Sequence, residues 1–132
     1  MQMDPIIKAI TKLGENHPNI DVVWLYGSRA KGTATVSSDY DLAVAFKTFP
    51  KDPWEQRLQP EELALDWAKE VGMGSDLLSV IDINHVPITL AFSVMEASEV
   101  IVENNVTRRI KEELRVSSMW EIDHMYHKEH YG

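Results

Sequence analysis

Ile20-Asp21-Val22-Val23-Trp24-Leu25-Tyr26-Gly27-Ser28 and, ten residues further on, Asp39-Tyr40-Asp41-Leu42-Ala43-Val44-Ala45-Phe46 decide how this chain is read. One apolar run feeds a Gly-Ser pair, and a second leaves from an Asp-x-Asp pair. Each run has the length and β-branched or aromatic content of a strand buried on both faces. The polar residues therefore stand at the end of one strand and the start of the next. Side chains alternate along a strand, so Asp39 and Asp41 are expected on one face. Two carboxylates held close repel unless a cation or proton lies between them, and Mg²⁺ is the natural hard ion for oxygen ligands. Gly27 and Ser28 offer backbone N–H groups and a hydroxyl to phosphate oxygens at a helix start.

The remainder of the chain frames this stretch. Its 132 residues suffice for one domain with a core. No apolar run approaches the roughly 20 residues of a membrane span. The first residues, Met1-Gln2-Met3-Asp4-Pro5, lack a secretory pattern, so a cytoplasmic location is expected. The absence of cysteine excludes disulfides and thiolate metal sites. A net charge of −8 disfavours non-specific binding to nucleic acid and suits a basic protein partner.

In order, Asp4-Pro5 caps a helix over 5–13 that Gly14 closes. Strands follow at 20–26 and 40–46, with 29–34 as a short helical turn. Residues 47–60, with three prolines, read as an irregular excursion. Pro60 then opens a helix whose apolar face is Leu63, Ala64, Trp67, Ala68 and Val71. A third strand over 77–83, a helix over 88–97 and a short edge strand at 100–102 complete the pattern. In the last segment Val106, Ile110 and Leu114 hold one helical phase, and Met119, Ile122, Met125 and Tyr126 another. Ser118-Met119-Trp120-Glu121 matches a capping box, so a bend or two helices are expected near 115–118. The fold class is α/β (α+β), a small mixed sheet flanked by helices.

Gly27-Ser28, ten residues, then Asp39-x-Asp41, set between two strands, resembles the signature of the polymerase-β-type nucleotidyltransferases. The small size resembles the minimal nucleotidyltransferase branch. The resemblance covers roughly residues 5–103, the nucleotidyltransferase domain; 104–132 would be a helical tail packing on the domain, on a partner, or on both. Members of this branch often act as antitoxins beside a helical HEPN-type ribonuclease toxin. The resemblance implies Mg²⁺, ATP as co-substrate, and AMP transfer to a toxin tyrosine within a hetero-oligomer. A small-molecule nucleotidyltransferase and a binding-only antitoxin that masks the toxin are the alternatives.

Carried over by the same resemblance, Asp39 and Asp41 would hold the metal, and Gly27 and Ser28 the β- and γ-phosphates. Arg29 and Lys31 follow directly and are read either as phosphate contacts or as a solvated basic turn. The family's third carboxylate, often the general base, lies on the next strand. Here Ser79 stands at that position, which leaves Asp76 at the strand entrance or Asp82 inside the apolar run. Tyr26 and Tyr40 are read as packing residues. His124, His127 and His130 have a spacing that a zinc site would use, although the drift of the helix turns the last away. Trp120, Met125 and Tyr126 are read as core-finishing or, preferentially, partner-gripping.

Overall fold

The computed structural model describes residues 4–131, with side chains described to residue 126. One mixed sheet holds β1 (Ile20–Tyr26), β2 (Tyr40–Phe46), β3 (Leu78–Asp82) and β4 (Glu99–Glu103) in the order β3-β2-β1-β4. β1 runs antiparallel to both β2 and β4, while β2 and β3 are parallel. A parallel pair needs a long crossover. Here it is α3 (Pro53–Val71) followed by a 3₁₀ turn at Ser75–Leu77. The other helices are α1 (Pro5–Glu15), α2 (Ser28–Lys31), α4 (Ile88–Glu96) and α5 (Val106–Tyr131). None is long and apolar enough to cross a membrane.

Strand alternation sorts the core into two layers. Val23, Leu25, Leu42, Val44, Leu78 and Val80 face α1 and α3, where Ile10, Leu63 and Trp67 meet them. Val22, Trp24, Ala43 and Ala45 face α4 and α5, where Ala91, Val94 and Val116 close the layer. Covered on both sides, β1 and β2 are apolar nearly throughout, which made them legible as central strands.

Three expectations are corrected. α3 begins at Pro53, not at Pro60. Asp52 caps it by accepting the Trp54 N–H at 2.9 Å, the same Asp-Pro start as Asp4-Pro5. Pro60 lies inside the helix, where it costs one backbone hydrogen bond. Gly14 is not a terminal cap but lies within α1, and a Cβ there would stand 2.7 Å from Val102 Cγ2. It is glycine because α1 packs tightly on β4. The final segment is one continuous helix, without a break at 115–118. Arg115 donates to Glu112 and to the Ile83 carbonyl, and Trp120 stacks on Phe92 at 4.2 Å. These contacts hold both sides of the Ser117-Ser118 pair on the domain.

Candidate functional site

The chain leaves β1 through Gly27, whose φ of 73° and ψ of −157° belong to glycine. A Cβ here would also stand 2.5 Å from Asp41 Oδ2. Two constraints thus converge on one residue: the turn into α2 and the close approach of backbone to carboxylate. Ser28 opens α2, and the amides of Ala30 and Lys31 both donate to the Gly27 carbonyl at 3.1 Å. Gly32, left-handed at φ 74°, ends the turn and leaves Lys31 exposed.

Asp41 lies near the start of β2, in register with Tyr26 of β1 on one side and Ser79 of β3 on the other. Asp39 is exposed and precedes the strand, so alternation along a strand does not itself put the two acids on one face. Electrostatics still link them. Burial and then the neighbouring Asp39 charge raise the Asp41 carboxyl above its ordinary 3.8. Burial, with the charge of Asp41 added, pushes the Tyr26 hydroxyl up to about 12. Tyr26 thus stays protonated at neutral pH, able to donate a hydrogen bond but not to serve as a base. Among the described residues no basic side chain forms an ion pair with Asp39 or Asp41.

Arg29 turns away from this pair. Its Nη2 donates to the Ser38 carbonyl at 2.8 Å, its guanidinium lies 4.1 Å from the Tyr40 ring centre, and Nη1 is 3.6 Å from Asp4 Oδ2. The Tyr40 hydroxyl donates to the same Asp4 oxygen at 2.6 Å. Burial acts to raise the Asp4 carboxyl, but the Tyr40 hydroxyl, the Ile6 and Ile7 amides and Arg29 outweigh it and hold it low. Arg29 therefore clamps α2, the start of α1 and the loop delivering Asp39. Sequence reasoning missed this clamp because its members, Asp4, Arg29, Ser38 and Tyr40, carry no local spacing signal.

The candidates for the third acid separate. Asp82 stands in register with Val44, on the sheet face that carries α1 and α3, and is 3% exposed. Its carboxylate accepts the Asn84 N–H and meets His85 Nδ1 at 2.8 Å. The fold does not bring Asp82 to Asp41. Asp76 sits on the exposed 3₁₀ turn before β3, not in the strand, and folds toward Gly74. Asp76 and Ser79 share a cleft of about 410 Å³ between α3 and β3.

The donor set at the pair suits a hard divalent cation. Two carboxylates interact electrostatically, and Asp41, with a raised proton affinity, stands behind a glycine that lets backbone approach it. Such an ion is commonly bound through one or two carboxylates plus substrate phosphates. Among the described residues no three acidic, histidine or cysteine side chains gather as a metal cage. The side chains of His127 and His130 lie outside the described residues, while His124 stacks on Trp120 at 4.8 Å. Trp120 is thus packed between Phe92 and His124, whereas Met125 and Tyr126 are exposed.

Residues 8–107 match the family model described as polymerase beta, nucleotidyltransferase. The fold is similar to solved toxin–antitoxin structures. One, a toxin–antitoxin with AMP-PNP, is 20% identical over 92% of each chain, with a TM-score of 0.73. An MntA–HpeT mutant complex is 17% identical over 95% of this chain and 93% of that one, with a TM-score of 0.70. A tri-AMPylated Shewanella oneidensis HEPN toxin in complex with MNT antitoxin matches at 18% identity, over 93% and 90%, with a TM-score of 0.67. At these identities the likeness is one of fold. No curated protein matches the chain by sequence.

Proposed function

The chain belongs to the polymerase beta nucleotidyltransferase family, and from that premise we propose that it is an antitoxin that transfers AMP from ATP to a tyrosine of a HEPN-type ribonuclease toxin. The observation that carries this reading is Asp41 against Gly27, raised by its burial and by the neighbouring Asp39 charge, with no ion pair to either acid among the described residues. The AMP-PNP-containing and tri-AMPylated complexes of similar fold support the choice of nucleotide and acceptor.

Asp39 and Asp41 would hold Mg²⁺, which when bound offsets charge on the triphosphate oxygens. Gly27 and Ser28 receive the β- and γ-phosphates at the opening of α2, and exposed Lys31 adds positive charge beside them. Arg29 acts as a positioning residue, fixing the loop that presents Asp39. The acceptor oxygen bonds to the α-phosphorus as the bond to the pyrophosphate oxygen breaks. The phenolic proton passes to Asp76, or to water, on the side where the α3–β3 cleft opens. The tyrosine and pyrophosphate thus exchange places on phosphorus with charge and atoms conserved.

A second reading, a binding-only antitoxin, is favoured by Ser79, a hydroxyl in register with Asp41 where the resemblance implies an acid. Incubation with labelled ATP, Mg²⁺ and the neighbour-encoded toxin separates the two. Label on the toxin that vanishes with Asp39→Ala/Asp41→Ala supports transfer. Full neutralisation by that double variant, without label, supports masking.

A further inference from the structure

β3 is an edge strand, so one side of its main chain has no strand partner in the sheet. Along that strand runs a groove against α3. Its first part, about 410 Å³, is lined by Glu61, Leu65, Asp76 and Ser79. Its second, about 190 Å³, continues past Glu61 and Val80 to Asp82 and His85, with Arg57 of α3 also on its wall. Glu61 and Val80 line both parts, so the groove follows the whole strand. Its floor includes the buried side chains of Ala64, Leu78 and Val80, and Leu65 is 57% exposed at the rim. At one end it reaches Ser79, the register neighbour of Asp41. The charge at that end is acidic, from Glu61 and Asp76, in a chain of net charge −8.

We propose that this groove is the docking site for an extended, basic segment of the AMP-accepting protein, added beside β3 so that its hydroxyl-bearing side chain arrives at Ser79 and Asp41. An exposed sheet edge recognises an extended chain through main-chain hydrogen bonds, while side-chain pockets set specificity. The apolar floor takes alternate side chains of such a segment, and Glu61 and Asp76 select lysine or arginine at the Ser79 end, Arg57 lying in the other part. Its reach to Ser79, the register neighbour of Asp41, sets this groove apart from the one of about 620 Å³ between α1 and α3. That groove, lined by Lys12, His17, Asp66, Trp67 and Glu70, lies by the Ile20 end of β1, away from Tyr26 and Asp41. The inference rests on the transferase reading only in taking the acceptor to be a protein.

The test needs no catalysis. The full chain, isotopically labelled and free of ATP, is titrated with a short synthetic peptide carrying a central tyrosine flanked by lysine and valine. Two controls replace lysine by glutamate, or N-methylate alternate backbone amides. The expected result is amide shifts at Ser79, Ile81, Glu61 and Leu65, with loss of binding for both controls. Glu61→Lys is expected to weaken the lysine peptide roughly fivefold, as a rim charge does. Equal binding of the glutamate peptide, shifts confined to other surfaces, or the absence of shifts would each overturn the proposal. Docking along β3 without AMP transfer to the toxin would keep this site and remove the transferase reading; transfer without docking along β3 would do the reverse.

Discussion

Two groups of acids stand at opposite ends of the same central strands, and the chain treats them oppositely. At the Phe46 end, Asp21 and Glu112 are 5% and 3% exposed. Arg108 donates to Asp21, Glu112, the Asn84 side chain and the Phe46 carbonyl, and Arg115 donates to Glu112 and the Ile83 carbonyl. Asn84 Nδ2 adds a further donor to Glu112 at 2.7 Å. At the other end Asp41 stands against Gly27 and feels the charge of Asp39, and the nearby Arg29 is engaged elsewhere. Buried carboxylates supplied with guanidinium partners fasten α5 to the sheet. A half-buried carboxylate without such a partner, raised by its burial and by the Asp39 charge beside it, favours a cation from outside. The number of acids does not distinguish the two ends; the source of the compensating charge does.

The largest effect is expected where the chain supplies its own cation. Arg108→Ala leaves Asp21 and Glu112 underpaired in the interior and is expected to cost about 3 kcal/mol, read from urea unfolding. An unchanged midpoint would erase the contrast between the ends. Gly27→Ala combines a left-handed backbone with a close approach to Asp41 Oδ2. The expected loss is about 1–2 kcal/mol, together with weaker Mg·ATP binding as Asp41 is displaced. Retained stability and affinity would show that the approach is not tight.

A smaller effect has the opposite sign. The folded-state value of Asp41 lies above its ordinary 3.8, so its contribution to stability is whole below that pH and is lost as pH rises through the raised value. At neutral pH the ionised carboxylate is a cost in the metal-free protein. Asp41→Asn should therefore melt a few degrees higher than the parent at pH 7 in EDTA, with the gain fading toward pH 4. A lower melting temperature at pH 7 would mean that Asp41 is already compensated. The smallest effect is expected from adding a charge. Ser79→Asp places a third acid in register with Asp41. It should lower metal-free stability slightly and raise Mg²⁺ affinity by calorimetry; unchanged affinity would mean that Ser79 does not face the metal position.

The sequence made the carboxylate end legible because its parts are local. Two apolar runs, a Gly-Ser pair and an Asp-x-Asp pair lie within residues 20–46, and the strand boundaries there match the fold closely. The guanidinium end was invisible. Asp21, Asn84, Arg108 and Glu112 are distant in the chain and become neighbours only when α5 packs across the sheet. Asp82 illustrates the same limit: its depth in an apolar run was readable, but its placement away from Asp41 depended on the β2–β3 register. The break expected near Ser118 failed because a local start signal yielded to contacts of Arg115 and Trp120 on either side. Asp52-Pro53 was a readable start, overshadowed by Pro60 seven residues later.

The most direct test of the outside-cation account is calorimetry of the metal-free protein with a non-hydrolysable ATP analogue, with and without Mg²⁺. The account predicts Mg²⁺-dependent binding by the parent chain, and its loss in Asp39→Asn/Asp41→Asn while that variant remains folded and no less stable. Binding that ignores Mg²⁺, or that survives in the folded double variant, would contradict it.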